Sequence, residues 1–134
     1  MKKIICAAVC GAALFSASAS SAELSADYQK CLDESGGVTA ALLDCVVAES
    51  EIQDKELNRI YGLLMKSPDV EQATKDKIKA HQRAWIKYRN SAYEIFQTIE
   101  GTMYRFSGAE NDLQILVRQV TFLESIAYST GVLQ

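Results

Sequence analysis

Residues 78–99 read IKAHQRAWIKYRNSAYEIFQTI. Within them Ile78, Gln82, Trp85, Arg89, Ala92, Phe96 and Ile99 recur at alternating steps of four and three. On an α-helix that spacing sets the seven side chains in one line, a seam that faces a partner helix. Lysines and arginines occupy several of the positions between them, which gives the segment an inward and a solvated face. Such a helix needs partners, and the flanking sequence supplies them.

Upstream, a helix is expected from about Thr39, a candidate N-cap, to Lys66. Leu43, Val46, Val47, Leu57, Ile60, Tyr61 and Leu64 recur along it at helical steps. Ser67-Pro68-Asp69 should stop that helix and start the next. Ser67 can cap, Pro68 suits a first helical position, and Asp69 suits the positive end of the dipole. The third helix is therefore expected from about Pro68 to Ile99 or beyond. A shorter first helix, Ser25 to about Glu34, should end at Gly36-Gly37. Downstream, Gly101 should weaken the third helix and Ser107-Gly108 end it. Ser107 with Glu110 then makes a capping box for a fourth helix. That helix carries Leu113, Leu116, Val117, Val120, Leu123 and Ala127 on one stripe and closes at Ser129-Thr130-Gly131. No β alternation is present. The expected fold is all-α: a long antiparallel hairpin of the second and third helices. The first helix folds back on the second, and the fourth covers the open side.

The 134 residues are 49% hydrophobic and 23% charged, with one Pro, seven Gly and four Cys. This supports a single domain and excludes a disordered chain or a turn-rich β-sandwich. Residues 1–22 have the organisation of a cleaved secretory signal. Lys2 and Lys3 precede an apolar stretch from Ile4 to Phe15, and Ser20-Ser21-Ala22 offers a small-x-small cleavage site. The apolar stretch falls short of the roughly 20 residues a membrane span needs. The mature domain is then residues 23–134, periplasmic or secreted, with no membrane span after processing. Removing Lys2 and Lys3 from the 14 basic residues leaves 12 against 17 acidic ones, a net charge of −5. An acidic balance argues against a nucleic-acid partner. Cys31 and Cys45 remain after cleavage, and in an oxidising compartment they should pair. Closing a loop of about 15 residues contributes roughly 3 kcal/mol in the chain-entropy model. The spacing is not CxxC and His81 is the only histidine, so no metal or other cofactor is expected.

Two residues of the third-helix seam are polar, Gln82 and Arg89. On the second helix Asp54, Asn58 and Tyr61 share a face with Leu57. A hairpin turning near Pro68 would set Gln82 near Asp54, and Arg89 between Glu49 and Asp54. The expectation is a hydrogen-bonded and ionic cluster that fixes register between the helices, with Trp85 as a core anchor. Glu49 and Asp54 could be drawn as a glycosidase pair. No Ser-His-Asp set, HExxH, P-loop or GxGxxG accompanies them, and His81 lies on a charged stretch where solvation is expected. An enzyme is not expected.

Cys31, Gly37, Thr39 and Cys45, then Asp54, Leu57-Asn58 and Tyr61, then Gln82, Trp85 and Tyr88-Arg89-Asn90 form an ordered set. It resembles the LprI-type lysozyme inhibitor N-terminal domain. That family has a C–T–C segment, a D-x-x-L-N-x-x-Y helix and a Q-x-x-W-x-x-x-R helix, and the resemblance covers roughly residues 28–125. Gly101-Thr102-Met103 resembles the family's G-T segment. Family members commonly carry two further cysteines, one after the third-helix Arg and one on the last helix. Ser91-Ala92-Tyr93 and the segment from Glu110 to Leu116 hold none here, which leaves one bridge. The resemblance implies an exported binding protein that inhibits lysozyme-type glycan hydrolases. The alternative is an envelope protein–protein interaction module with another partner. A basic lysozyme would be attracted by the acidic net charge. Three elements are candidates to enter a partner's cleft: the turn at Gly36, Gly37 and Val38, the turn from Ser67 to Asp69, and the segment holding Tyr104, Arg105 and Phe106.

Overall fold

The computed structural model describes residues 23–134, and the expected signal segment 1–22 lies outside them. Four helices account for 81% of the described residues, with no strand among them. They are α1 (Ala26–Glu34), α2 (Thr39–Lys66), α3 (Gln72–Gln97) and α4 (Thr102–Ser129). The all-helical class and the Cys31–Cys45 bridge are as expected.

Local chemistry explains the helix ends. Ser25 caps α1, its hydroxyl accepting from the Tyr28 N–H at 3.1 Å. Gly36 and Gly37 follow the helix with φ of 60° and 76°. Both lie in the left-handed region, where a side chain is strained, and this is why the turn uses two glycines. Val38, not Thr39, occupies the N-cap position of α2, and no side chain caps there. Ser67 closes α2, donating its N–H to the Leu63 carbonyl at 2.9 Å. It does not cap α3, which begins at Gln72 after Glu71. Residues 68–71 are a turn instead, and Val70 turns inward to join the core.

The α3 seam faces inward at Ile78, Gln82, Trp85, Arg89, Ala92 and Phe96. Ile99 does not, because α3 ends at Gln97 and Ile99 sits exposed in the following turn. On α2 the buried line is Val46, Glu49, Gln53, Leu57, Ile60 and Leu64. Val47, adjacent to Val46, points outward and is 57% exposed.

The start of α4 departs most from expectation. Gly101 is its N-cap, and Ser107, Gly108 and Glu110 all lie inside the helix, so no capping box forms at Ser107. Gly108 serves the packing of α4 against α3. A Cβ built there would stand 2.7 Å from Cβ of Phe96, closer than side chains tolerate. Gly108→Ala should therefore destabilise by about 2 kcal/mol, the scale of overpacking a tight contact. Urea unfolding measures it, and an unchanged midpoint would show that Phe96 yields freely. At the other end, Val132 N–H reaches the Ala127 carbonyl and Gly131 N–H the Tyr128 carbonyl. This Schellman arrangement returns Val132 and Leu133 to the core.

Helix order in space differs from the simple hairpin. α4 packs mainly on α2 and next on α3, while α1 packs on α2. The fourth helix is therefore the centre of the bundle rather than its cover. It carries buried apolar groups on more than one face: Leu113, Ile115, Leu116, Val120, Leu123 and Ala127. A central helix needs that breadth, whereas α3 needs only its narrow seam. The pairs Arg89–Asp112 and Gln82–Gln119 make α3 and α4 antiparallel. Asp54–Arg89 and Ser67–Lys75 do the same for α2 and α3. Among the described residues no helix is long and apolar enough to cross a membrane.

Candidate functional site

Two of the motif residues, Gln82 and Arg89, bond to α4. Arg89, at 19% side-chain exposure, donates from Nε and Nη2 to the two carboxylate oxygens of Asp112 at 2.8 and 2.7 Å. This is a two-pronged guanidinium–carboxylate pair, the strongest geometry available to these groups. A longer contact of 3.5 Å runs from Nη1 to Asp54. Burial pulls the guanidinium pKa down, but the hydrogen bonds and charge of Asp112, then those of Asp54, outweigh it and leave the pKa raised. The Arg89 guanidinium also lies 5.4 Å from the ring centroid of Trp85.

The expected ionic link between α2 and α3 thus exists at Asp54–Arg89, but its main partner, Asp112, comes from α4. Gln82 does not meet Asp54. Because α3 starts at Gln72 instead of Pro68, the position opposite Asp54 moves along to Arg89. Gln82 accepts from Nε2 of Gln119 at 2.9 Å, and the Gln119 oxygen lies 3.3 Å from Nε2 of His81. The His81 ring stands 4.5 Å from that of Phe122. His81 is thus exposed yet engaged, not merely solvated. Trp85 is buried in the main core, as expected of an anchor. Its indole N–H has no hydrogen-bond partner among the described residues.

Glu49 has a different task from the one expected. It is 2% exposed and does not meet Arg89. One oxygen accepts from the Ser25 N–H at 3.0 Å and from Gln53 Nε2 at 2.9 Å, and the other accepts from the Ser25 hydroxyl. Gln53 also donates to the Glu23 carbonyl. Glu49 therefore ties the start of α1 to α2. The Glu49/Asp54 pair drawn for glycoside cleavage is not assembled, since each carboxylate serves a different partner.

Beside this tie, Tyr28 is buried with Cys45, Val46 and Leu113, and its hydroxyl has no hydrogen-bond partner among the described residues. Burial first, then the charges of Glu110 and Glu49, raise its phenol pKa. A raised folded-state pKa means that stability held below the ordinary phenol value, about 10, is lost as pH climbs through it. Tyr28→Phe should leave stability at neutral pH unchanged or raise it by about 1 kcal/mol, because it removes an unpaired buried hydroxyl. It should also flatten the alkaline loss. Urea unfolding at pH 7 and pH 10.5 checks both signs.

The remaining motif residues are simpler. Asn58 is exposed and donates to the Asp54 carbonyl one turn back at 2.8 Å. Tyr61 packs against the main core beside Leu57. Cys31 and Cys45, with Cα atoms 5.7 Å apart, bind α1 to α2. Of the candidate contact elements, Gly36, Gly37 and Val38 form an exposed turn. Ser67 and Asp69 lie in the α2–α3 turn, the Ser67 hydroxyl accepting from the Asp69 N–H at 3.1 Å. Tyr104, Arg105 and Phe106 form no loop. They lie in the first turns of α4, and Phe106 packs against the cluster around Tyr28.

The polar side chains of the seam mostly bond to one another, the Trp85 indole N–H apart, and among the described residues no group of three His, Cys, Asp or Glu side chains could hold a metal ion. The fold is that of a disulfide-pinned helical domain with a polar seam locking its helices together. A family model described as Lysozyme inhibitor LprI matches residues 31–118, from the first bridge cysteine to the middle of α4. The chain belongs to the LprI lysozyme inhibitor family. No curated protein and no solved structure matches it.

Proposed function

We propose that the protein is an exported inhibitor of lysozyme-type glycan hydrolases, acting in the periplasm or outside the cell. Membership of the LprI family over residues 31–118 is the observation that carries this reading. The charge of the domain supports it, since 12 basic against 17 acidic residues favour association with a basic enzyme. The signal-like segment 1–22 supports export, with the disulfide formed in an oxidising compartment.

The test is a lysis assay with a panel of purified lysozymes. Stoichiometric loss of activity against at least one basic member is expected, and activity unchanged across the panel would remove the reading. Exposed apolar side chains around the α3–α4 turn, Ile95, Ile99 and Met103, favour the second reading, an envelope interaction module with another protein partner.

A further inference from the structure

The acidic charge of the domain is not evenly spread. Residues 23–54 hold eight acidic side chains and one basic, Lys30, a net charge of −7. Residues 55–134 hold nine acidic and eleven basic, a net charge of +2. The whole excess of negative charge therefore belongs to α1 and the first half of α2. The fold gathers part of it around a groove of about 460 Å³ between these helices, beside the disulfide. Asp27, Lys30 and Glu34 of α1 and Asp44 of α2 line it, and all four are exposed. The Gly36–Gly37 turn stands at one end, and the side chain next to it, Val38, is 60% exposed. Val47, one turn beyond Asp44, presents a second apolar group to solvent.

This is a surface with apolar contact points set among carboxylates. Those carboxylates do not gather into a group able to hold a metal ion. Spread over two helices, they match a broad cationic protein face, and opposite charges facing each other across an interface speed encounter and fix orientation. We infer that the α1–α2 groove and the Gly36–Gly37–Val38 turn are the docking face for a cationic protein. Resting on the function proposed above, the occupant is the positively charged surface of a lysozyme-type hydrolase. The bridge and the Glu49–Ser25 tie hold the two walls of the groove in place, so the face is presented preformed.

The experiment compares two charge reversals of equal size on the oxidised protein made from the full chain. Glu34→Lys/Asp44→Lys alters the groove. Asp69→Lys/Asp76→Lys alters exposed positions at the opposite end, around the α2–α3 turn. Val38→Ser removes the apolar contact without adding charge. Circular dichroism and thermal unfolding establish that each variant folds. Calorimetric affinity and inhibition are then read with a basic lysozyme at low and moderate salt. The groove pair should weaken binding at least tenfold and flatten its salt dependence, and Val38→Ser should weaken it severalfold. The distal pair should change binding less than threefold. Equal losses from both pairs, or groove variants that bind like the parent, overturn the docking face while leaving inhibition standing. Binding without inhibition, still lost in the groove variants, supports the face and removes the inhibitor reading. A parent protein that binds no basic lysozyme overturns both.

Discussion

Replacing Asp112 with alanine is expected to lower folding stability by about 3 kcal/mol, the cost of leaving a mostly buried charge without its principal partner. Arg89 would keep only the longer contact to Asp54 at 3.5 Å in place of two hydrogen bonds below 3 Å. The loss should appear in urea unfolding as a lowered midpoint with an unchanged slope, since the native surface is otherwise retained. A companion variant separates the charge from the packing. Arg89→Met/Asp112→Leu removes both ions and fills their space with apolar groups, and it should recover most of the loss. Were Asp112→Ala to cost less than 1 kcal/mol, the α3–α4 pair would be a surface ornament and the register argument would fall. The double variant also asks whether the pair matters to more than stability. If it inhibits as the parent does, the motif arginine serves the fold and the surface alone serves recognition.

Removing the bridge by Cys31→Ser/Cys45→Ser should cost about 3 kcal/mol, the chain-entropy value for a loop of this size. The cysteines stand 14 residues apart in sequence, and the loop they close joins the nine-residue α1 to the 28-residue α2. The damage should be local. α1 packs chiefly on α2 and has only nine residues, too few to persist without tertiary support. Amide exchange in the double serine variant should therefore rise through α1 and the Gly36–Gly37 turn, while the α2–α4 core keeps its protection. Exchange that stays slow in α1 would mean that the Tyr28 cluster and the Glu49 tie hold it unaided. On the docking face inferred above, the same variant should lose affinity as its groove wall detaches, even where the core remains folded.

How far the sequence reached follows from what each signal depends on. The α3 seam was legible almost whole, from Ile78 to Phe96, because its periodicity belongs to one helix and needs no knowledge of neighbours. Pairing across helices was not. Arg89 was expected to find carboxylates on α2, and it keeps Asp54 at 3.5 Å, but its two short hydrogen bonds go to Asp112, because α4 lies between α2 and α3. The breadth of apolar residues on α4 was the signal that could have shown this, with Ile115 standing off the stripe of Leu113, Leu116 and Val120. Gly108 misled for a physical reason: after a serine and before a glutamate it has the form of a helix boundary, yet it is small to admit Phe96. Glu49 was noticed for its charge and given the wrong partner, since its link to Ser25 spans 24 residues and depends on how α1 returns. The family motifs fared better than the pairings expected of them, because a motif records residue identity without saying which helix answers which.

The central place of α4 also orders events in time. Its buried leucines, Leu113, Leu116 and Leu123, are translated after the α1, α2 and α3 residues they pack with. Until they appear, α2 and α3 have no common surface to close upon, so the main core can be completed only near the end of synthesis. The bridge obeys a different clock. Cys31 and Cys45 are both made within the first 45 residues of the chain, and a short loop can close between them before any core exists. Oxidation can therefore precede folding, and a chain delivered unfolded to an oxidising compartment would arrive at its last helix with α1 already leashed.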